Sequence, residues 1–307
     1  MRFVRPLVWP ALALVAFSSA IAAARQQPTF RAGVDLVRVD VSITRNLDPV
    51  AGLTAENFEV FDNGVRQELE RVVHEQVPLE AFLVLDVSGS VAGAQLEQLQ
   101  AAANAFVGGL TGQDKVALVT FTERATLVQP LSANFDAFAR ALASVKAGGN
   151  TAIYDATDLA VKLRKPNDAR AVVVVFTDGI DNASTVSPKA VVEAAERSDV
   201  VVYGVTVTPD GGARGFGVPD PRSQFQVGFL RSLADDTGGR VFNATSGSRL
   251  KNVFAIILDD IRARYLLTYY PGKVSPGWHK LQVKLNGAKG DVLARRGYYA
   301  APARQRP

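Results

Sequence analysis

The segment from Phe82 to Ser90 constrains the fold more than any other part of the chain. An uninterrupted apolar run, Phe82-Leu-Val-Leu, ends in Asp86 and is followed by Ser88 and Ser90. Such a run is typical of a strand buried on both faces of a parallel sheet. Parallel sheets bind ligands just beyond the carboxyl ends of their strands, so these three polar side chains are predicted to lie at a site. Their donors are all oxygens, which suits a hard cation such as Mg²⁺.

A second apolar run repeats this arrangement. Residues 171–176 are apolar and mostly β-branched, and they are followed by Thr177-Asp178-Gly179. Between the two runs, the loop Gly148-Gly149-Asn150-Thr151 brings a further hydroxyl to the start of an apolar helical stretch. Taken singly, the serines fit helix caps and the Thr-Asp-Gly segment fits an ordinary turn. Taken together, three hydroxyls and two carboxylates are predicted to meet at one sheet edge: Asp86, Ser88, Ser90, Thr151 and Asp178.

These five residues, in this order, resemble the von Willebrand factor type A (VWFA) domain with its metal-ion-dependent adhesion site (MIDAS). The family's pattern is Asp-x-Ser-x-Ser, a later loop threonine, and an aspartate in a Thr-Asp-Gly turn. The resemblance implies an α/β fold with a Rossmann-like, doubly wound, mostly parallel sheet. It also implies a site for Mg²⁺, or for Mn²⁺ or Ca²⁺, in which Ser88, Ser90 and Thr151 ligate directly, while Asp86 and Asp178 act directly or through water.

The same resemblance implies a function. A protein partner presenting an Asp or Glu would supply the remaining metal ligand, which makes the chain a cation-dependent protein-binding or adhesion module and not an enzyme. One alternative is a scaffold whose metal only stabilises the fold. The other is a phosphatase-like, metal-dependent hydrolase, but such enzymes usually carry a second aspartate where Ser88 stands. The chain has no cysteine and its two histidines, His74 and His279, lie far from the five residues in sequence, which argues against a zinc enzyme or a serine hydrolase.

The pattern of hydrophobicity divides the chain into three parts. From about residue 80 to 264, buried strands (115–121, 171–177, 200–207) alternate with amphipathic helices, the last at about 248–264. This alternation predicts a doubly wound α/β domain with a long loop over 208–223, and the resemblance implies that residues 80–264 are the VWFA domain. Residues 34–44 alternate as a half-buried strand, Asn63-Gly64 indicates a hairpin before 65–73, and 265–270, 281–285 and 292–299 are rich in strand formers. Neither flank is long enough to bury much surface alone. Residues 25–79 and 265–300 are therefore predicted to form one small antiparallel β-sandwich into which residues 80–264 are inserted, and exported bacterial VWFA-related proteins have similar flanks.

The two ends of the chain carry a prediction about destination. Arg2 and Arg5 precede an uncharged stretch that ends in Ala22-Ala23-Ala24, so residues 1–24 are predicted to be a signal peptide, with an uncleaved membrane anchor as the alternative. The mature chain is then expected in the periplasm or outside the cell. Cleavage lowers the net charge from +4 to +2 because Arg2 and Arg5 are removed. The remaining bases include Arg295, Arg296 and a basic tail at 301–307, which favours a solvated tail over a nucleic-acid-binding groove.

Overall fold

The structure is a computed structural model that describes residues 36–74, 77–207, 221–244, 249–272 and 275–300. The predicted signal peptide, the basic tail at 301–307 and most of the predicted loop at 208–223 lie outside these ranges. In the described part of the chain, no helix combines the length and the apolar character needed to cross a membrane.

Strands and helices alternate through the middle of the chain and strands dominate both flanks. The strands are β1 Val37–Arg45, β2 Asp48–Pro49, β3 Phe58–Asp62, β4 Val65–Gln67, β5 Leu69–Val73, β6 Leu79–Asp86, β7 Lys115–Phe121, β8 Ala125–Ser132, β9 Arg170–Thr177, β10 Val200–Val207, β11 Val241–Ala244, β12 Tyr265–Tyr269, β13 Gly277–Leu285, β14 Asp291–Ala294 and β15 Gly297–Ala300. The α-helices are α1 Ala94–Gly108, α2 Phe135–Ala143, α3 Ile153–Leu163, α4 Pro188–Glu196, α5 Pro221–Thr237 and α6 Leu250–Arg262. One-turn 3-10 helices lie at Ala55–Asn57 and Gly89–Val91.

A six-stranded sheet in the order β11-β10-β9-β6-β7-β8 forms the centre of the molecule. Five strands are parallel and β8 pairs antiparallel with β7. The central strands β6 and β9 are buried along their whole length, as their apolar runs require. One face packs against α1, α2 and α6, and the other against α3, α4 and α5. The predicted α/β, Rossmann-like class is confirmed, and β6 lies beside β9.

Two smaller sheets are built from the flanks. One has the order β14-β1-β12-β5 with β2 attached to β1, and the other has the order β15-β13-β3-β4. Each sheet takes strands from before and after the α/β region, because β1 pairs antiparallel with β12 and β3 pairs antiparallel with β13. Their apolar faces share one core that contains Val39, Val41, Val60 and Leu267, all fully buried. Neither flank therefore has a complete sheet of its own.

Two segments that each look like one strand in the sequence are divided between the sheets. In the first, β4 pairs with β3 after a turn in which Asn63 and Gly64 both have positive φ, whereas β5 pairs with β12. In the second, β14 pairs with β1 and β15 pairs with β13. An alternating pattern specifies which side chains face inward but not which neighbour a strand joins, so the sequence gives no sign of these two divisions.

Three further predictions need correction. The loop predicted over 208–223 ends earlier, because α5 begins at Pro221, and proline is favoured in the first turn of a helix. Arg296 bonds Asp235 and Asp236 instead of lying in a solvated tail. The guanidinium of Arg295 is also enclosed: it donates to the carbonyl of Arg38 at 2.6 Å, and its burial lowers the pKa of Arg295.

A buried histidine joins β13 to β3 in one of the smaller sheets. The Nδ1 atom of His279 lies 2.7 Å from Asp62 Oδ1, and its Nε2 atom lies 2.7 Å from the carbonyl oxygen of Ser275. Asp62 Oδ2 also accepts hydrogen bonds from the hydroxyls of Tyr269 and Tyr298, at 2.9 and 2.8 Å. Both partners of the imidazole are acceptors, so both of its nitrogens donate and the imidazolium form fits best. Burial lowers the pKa of His279, but the Ser275 carbonyl and the Asp62 carboxylate outweigh it and leave this pKa raised.

This histidine predicts a pH-dependent stability. A raised folded-state pKa stabilises the fold fully below the unfolded pKa of about 6.5, and this contribution is lost as the pH rises through the folded value. We therefore expect the free energy of unfolding in urea to fall in the wild type as the pH rises above about 6.5. His279→Gln is expected to flatten that dependence, whereas His74→Gln, at the exposed second histidine, is expected to preserve it. An unaltered pH dependence in His279→Gln would show that the imidazolium contributes nothing.

Candidate metal centre

The centre of the site is Asp86, the last residue of β6. Its neighbour across the sheet is the end of β9, because Leu85 is in register with Phe176. The Asp86 side chain is fully buried. Its Oδ2 atom accepts a hydrogen bond from Thr177 Oγ1 at 2.7 Å, and its Oδ1 atom accepts one from the backbone N–H of Ser88 at 2.9 Å. The carboxylate is therefore held in one orientation by a donor from β9 and a donor from the chain just after β6.

The second carboxylate, Asp178, faces the serines that follow β6. The 3-10 turn after β6 brings Ser90 across the sheet edge, where Ser90 Oγ donates to Asp178 Oδ1 at 2.8 Å. Ser88 Oγ lies 3.1 Å from Ser90 Oγ. Gln95, in the first turn of α1, donates from Nε2 to Asp178 Oδ2 at 2.7 Å. Ser88 is buried, whereas Ser90 is exposed and Asp178 is partly exposed, so the site opens to solvent on this side.

The loop that carries Thr151 is bonded directly to the chain after β6. Gly148 N donates to the carbonyl of Val87 at 2.9 Å, and Gly89 N donates to the carbonyl of Gly149 at 3.0 Å. Gly149 has a φ of 78°, and a Cβ atom there would lie 2.4 Å from Glu123 Oε2. The positive φ favours glycine at this position, whereas the carboxylate of Glu123 ends an exposed side chain that can move aside.

The hydroxyl of Thr151 completes the cluster. A Cβ atom on Gly179 would lie 3.1 Å from Thr151 Oγ1 and 3.8 Å from Asp86 Oδ2, so both groups face this glycine. The backbone N–H of Thr151 donates to Asn182 Oδ1 at 2.9 Å. The structure thus brings together the five predicted residues: Asp86, Ser88, Ser90, Thr151 and Asp178.

Several supporting residues were not found from the sequence. Thr177 belongs to the Thr-Asp-Gly turn that the sequence showed, but nothing in the sequence indicated its hydrogen bond to Asp86. Gln95, Glu123 and Asn182 had no such signal, because each reaches the site from a different element through a contact that only the packing defines.

The electrostatics of the cluster fit a bound cation. Burial raises the pKa of Asp86, hydrogen bonds from Ser88 and Thr177 oppose this, and the negative charge of Asp178 raises it further. Among the residues that the structure describes, no lysine or arginine forms an ion pair with either carboxylate. Across the same residues, no three His, Cys, Asp or Glu side chains gather as a possible metal site. A cation here would therefore be held by two carboxylates and three hydroxyls, and hard divalent ions prefer such oxygen donors.

Comparison with known proteins identifies the family. The model of the von Willebrand factor type A domain matches residues 81–256, and the chain belongs to this family. An uncharacterized protein of Synechocystis is 29% identical over 150 residues, which cover 47% of this chain and 35% of that protein. A UPF0353 protein of Mycobacterium avium is 27% identical over 234 residues, which cover 69% of this chain and 68% of that protein. The matched region thus spans only about a third of the cyanobacterial relative.

A solved structure shows a similar fold. Proximal thread matrix protein 1 from the mussel byssus, in a form with a zinc-occupied MIDAS motif, superposes with a TM-score of 0.51 at 18% sequence identity. The superposition covers 65% of this chain and 49% of the mussel protein.

Proposed function

We propose that the protein is a divalent-cation-dependent protein-binding module that recognises an acidic residue of its partner. One observation carries this proposal. Two carboxylates without a cationic partner in the described residues lie among three hydroxyls at a sheet edge that is open to solvent. The zinc-occupied MIDAS motif of the mussel protein supports a metal in a domain of this fold. We propose Mg²⁺ as the ion, with Mn²⁺ or Ca²⁺ as alternatives.

Each side chain has a role in this proposal. The hydroxyls of Ser88, Ser90 and Thr151 would hold the cation, and Asp86 and Asp178 would supply negative charge directly or through water. Thr177 keeps Asp86 from turning away, because its hydroxyl occupies one carboxylate oxygen. A bound dication supplies an open coordination position for an anionic ligand. Only two of the five donors are charged, so a carboxylate from a partner is favoured there.

The histidines support binding over hydrolysis. His279 is occupied by Asp62 and Ser275 in the flanking sheets, and His74 stacks on Tyr265 there. Neither is part of the contacts around Asp86, so no imidazole base accompanies Ser88 or Ser90. The alternatives are a scaffold whose metal only stabilises the fold and, less favoured because Ser88 stands where a second aspartate is usual, a phosphatase-like metal-dependent hydrolase.

The proposal extends to the organisation of the chain. The two flanks, at residues 25–79 and 265–300, are proposed to act as one β-sandwich that carries the VWFA domain of residues 80–264. The shared core of the two flank sheets supports the proposal of one β-sandwich. Residues 1–24 are proposed to direct export to the periplasm or the medium.

A peptide-display selection tests the function. A library displayed on phage is panned on immobilised protein in Mg²⁺ and eluted with EDTA. We expect the recovered peptides to share an Asp or Glu and to lose binding when that residue becomes Asn or Gln. The same panning on Asp86→Asn protein serves as the control and is expected to yield no such peptides. If Mg²⁺ raises the unfolding temperature but no EDTA-sensitive acidic peptide is recovered, the scaffold alternative is correct.

A further inference from the structure

The contact between Gln95 and Asp178 joins helix α1 to a carboxylate of the site, and the five-residue pattern does not explain it. Gln95 Nε2 donates to Asp178 Oδ2 at 2.7 Å, on the oxygen that Ser90 does not use. Both carboxylate oxygens of Asp178 are thus occupied by neutral donors, one from the 3-10 turn and one from α1.

The position of Gln95 is fixed by the core. Gln95 lies one turn before Leu99, which is fully buried, and residues four apart on a helix share a face. Farther along α1, Phe106 packs edge-on against Phe254 of α6, with ring centroids 6.1 Å apart. The core therefore anchors the helix that carries Gln95, and the hydrogen bond places its amide against Asp178.

We infer that Gln95 is a positioning residue that keeps Asp178 from ligating the cation directly and so preserves the affinity of the site for an anionic ligand. This inference rests on the proposed function. The chemistry follows from the two donors. While Gln95 and Ser90 donate to Asp178, each of its carboxylate oxygens accepts a hydrogen bond. Without Gln95, Oδ2 becomes an available hard ligand, and a carboxylate close to a dication binds it strongly.

If Gln95 has this role, its loss changes the affinity for the metal and the affinity for an external carboxylate in different ways. A directly bound Asp178 would neutralise more of the positive charge and would occupy a coordination position. Metal affinity would then stay the same or rise, while the affinity for an external carboxylate would fall. A residue that only supported the local fold would weaken both affinities together or neither.

The test uses Mn²⁺ as the metal and acetate as the carboxylate. Gln95→Met keeps the length of the side chain and removes the donor, and Gln95→Glu places a further carboxylate at the same point. Gln98→Leu, at an exposed glutamine one turn away from the contact, is the matched control. Mn²⁺ affinity is measured by calorimetry, and acetate binding is measured by paramagnetic broadening of its methyl proton resonance.

We expect both Gln95 variants to bind Mn²⁺ at least as tightly as the wild type and to bind acetate about tenfold more weakly, the usual scale for a residue that orients a metal ligand. Gln98→Leu is expected to match the wild type in both measurements. Unchanged acetate binding in Gln95→Met, or a parallel loss of Mn²⁺ and acetate binding, would overturn the inference while leaving the proposed function in place. Failure of the wild type to bind Mn²⁺, or of its Mn²⁺ complex to bind acetate, would overturn the proposed function itself.

Discussion

Asp86→Asn is expected to lower the affinity for Mg²⁺ and Mn²⁺ by roughly two orders of magnitude without unfolding the protein. Asparagine has the shape of aspartate and still offers an acceptor to the backbone N–H of Ser88. It removes one of the two negative charges that would offset a dication, and the loss is large because the other three donors are neutral hydroxyls. Calorimetric titration with each metal measures the effect, with Asp136→Asn, at an exposed aspartate of α2, as the control.

The metal-free form of this variant distinguishes a lost ligand from a damaged fold. Burial is the main reason that the pKa of Asp86 is raised, so this carboxyl binds a proton more readily in the folded state than in the unfolded state. Such a group stabilises the fold at low pH, and its ionisation costs stability as the pH rises above its ordinary value of 3.8. In EDTA at neutral pH, Asp86→Asn is therefore expected to unfold at the same temperature as the wild type or higher. A lower unfolding temperature together with lost metal binding would mean that Asp86 holds the sheet edge together.

Arg264→Met is expected to reduce the free energy of unfolding by about 3–5 kcal/mol. Arg264 is fully buried and donates to Tyr203 Oη at 3.0 Å, to the carbonyl of Gly238 at 2.8 Å and to the carbonyl of Asp40 at 3.2 Å. It also pairs with Asp260, in the last turn of α6, at 3.5 Å. The network thus ties the end of α6 to β10 and to β1 of the flank. Its removal leaves Asp260 buried without its cationic partner, which is the costly case for a buried ion pair.

Urea unfolding with matched variants tests this prediction. Arg296→Met removes a guanidinium whose side chain is 60% exposed and which pairs with Asp235 and Asp236, so it is expected to cost less than about 1 kcal/mol. The double variant Arg264→Met/Asp260→Leu removes both charges and is expected to recover a large part of the loss. If the double variant is no more stable than Arg264→Met, the unpaired Asp260 charge is not the cause.

Local patterns predicted the segments whose own residues allow only one kind of structure, such as a strand that is buried along its whole length. The runs at 82–85 and 171–176 are apolar at consecutive positions, and both are central strands with no exposed residue. The Asn63-Gly64 hairpin was predicted because few residue pairs adopt two positive φ angles. The edge strands β8 and β11 and the helix α4 were not predicted, because β8 and α4 are partly exposed and β11 has only four residues.

The sequence alone determined the α/β class and the oxygen donors that follow the strands at Asp86 and Asp178. Both depend on side chains that are neighbours in the chain, and such a local pattern leaves few choices of which side chains are buried. Only the tertiary structure decided that β6 lies beside β9, which brings Ser90 within 2.8 Å of a residue 88 positions away. It also decided the contact of Gln95 with Asp178 and the enclosure of Arg295. These contacts depend on how helices and sheets pack to within a few tenths of an ångström, and a pattern of polar and apolar residues carries no such distance.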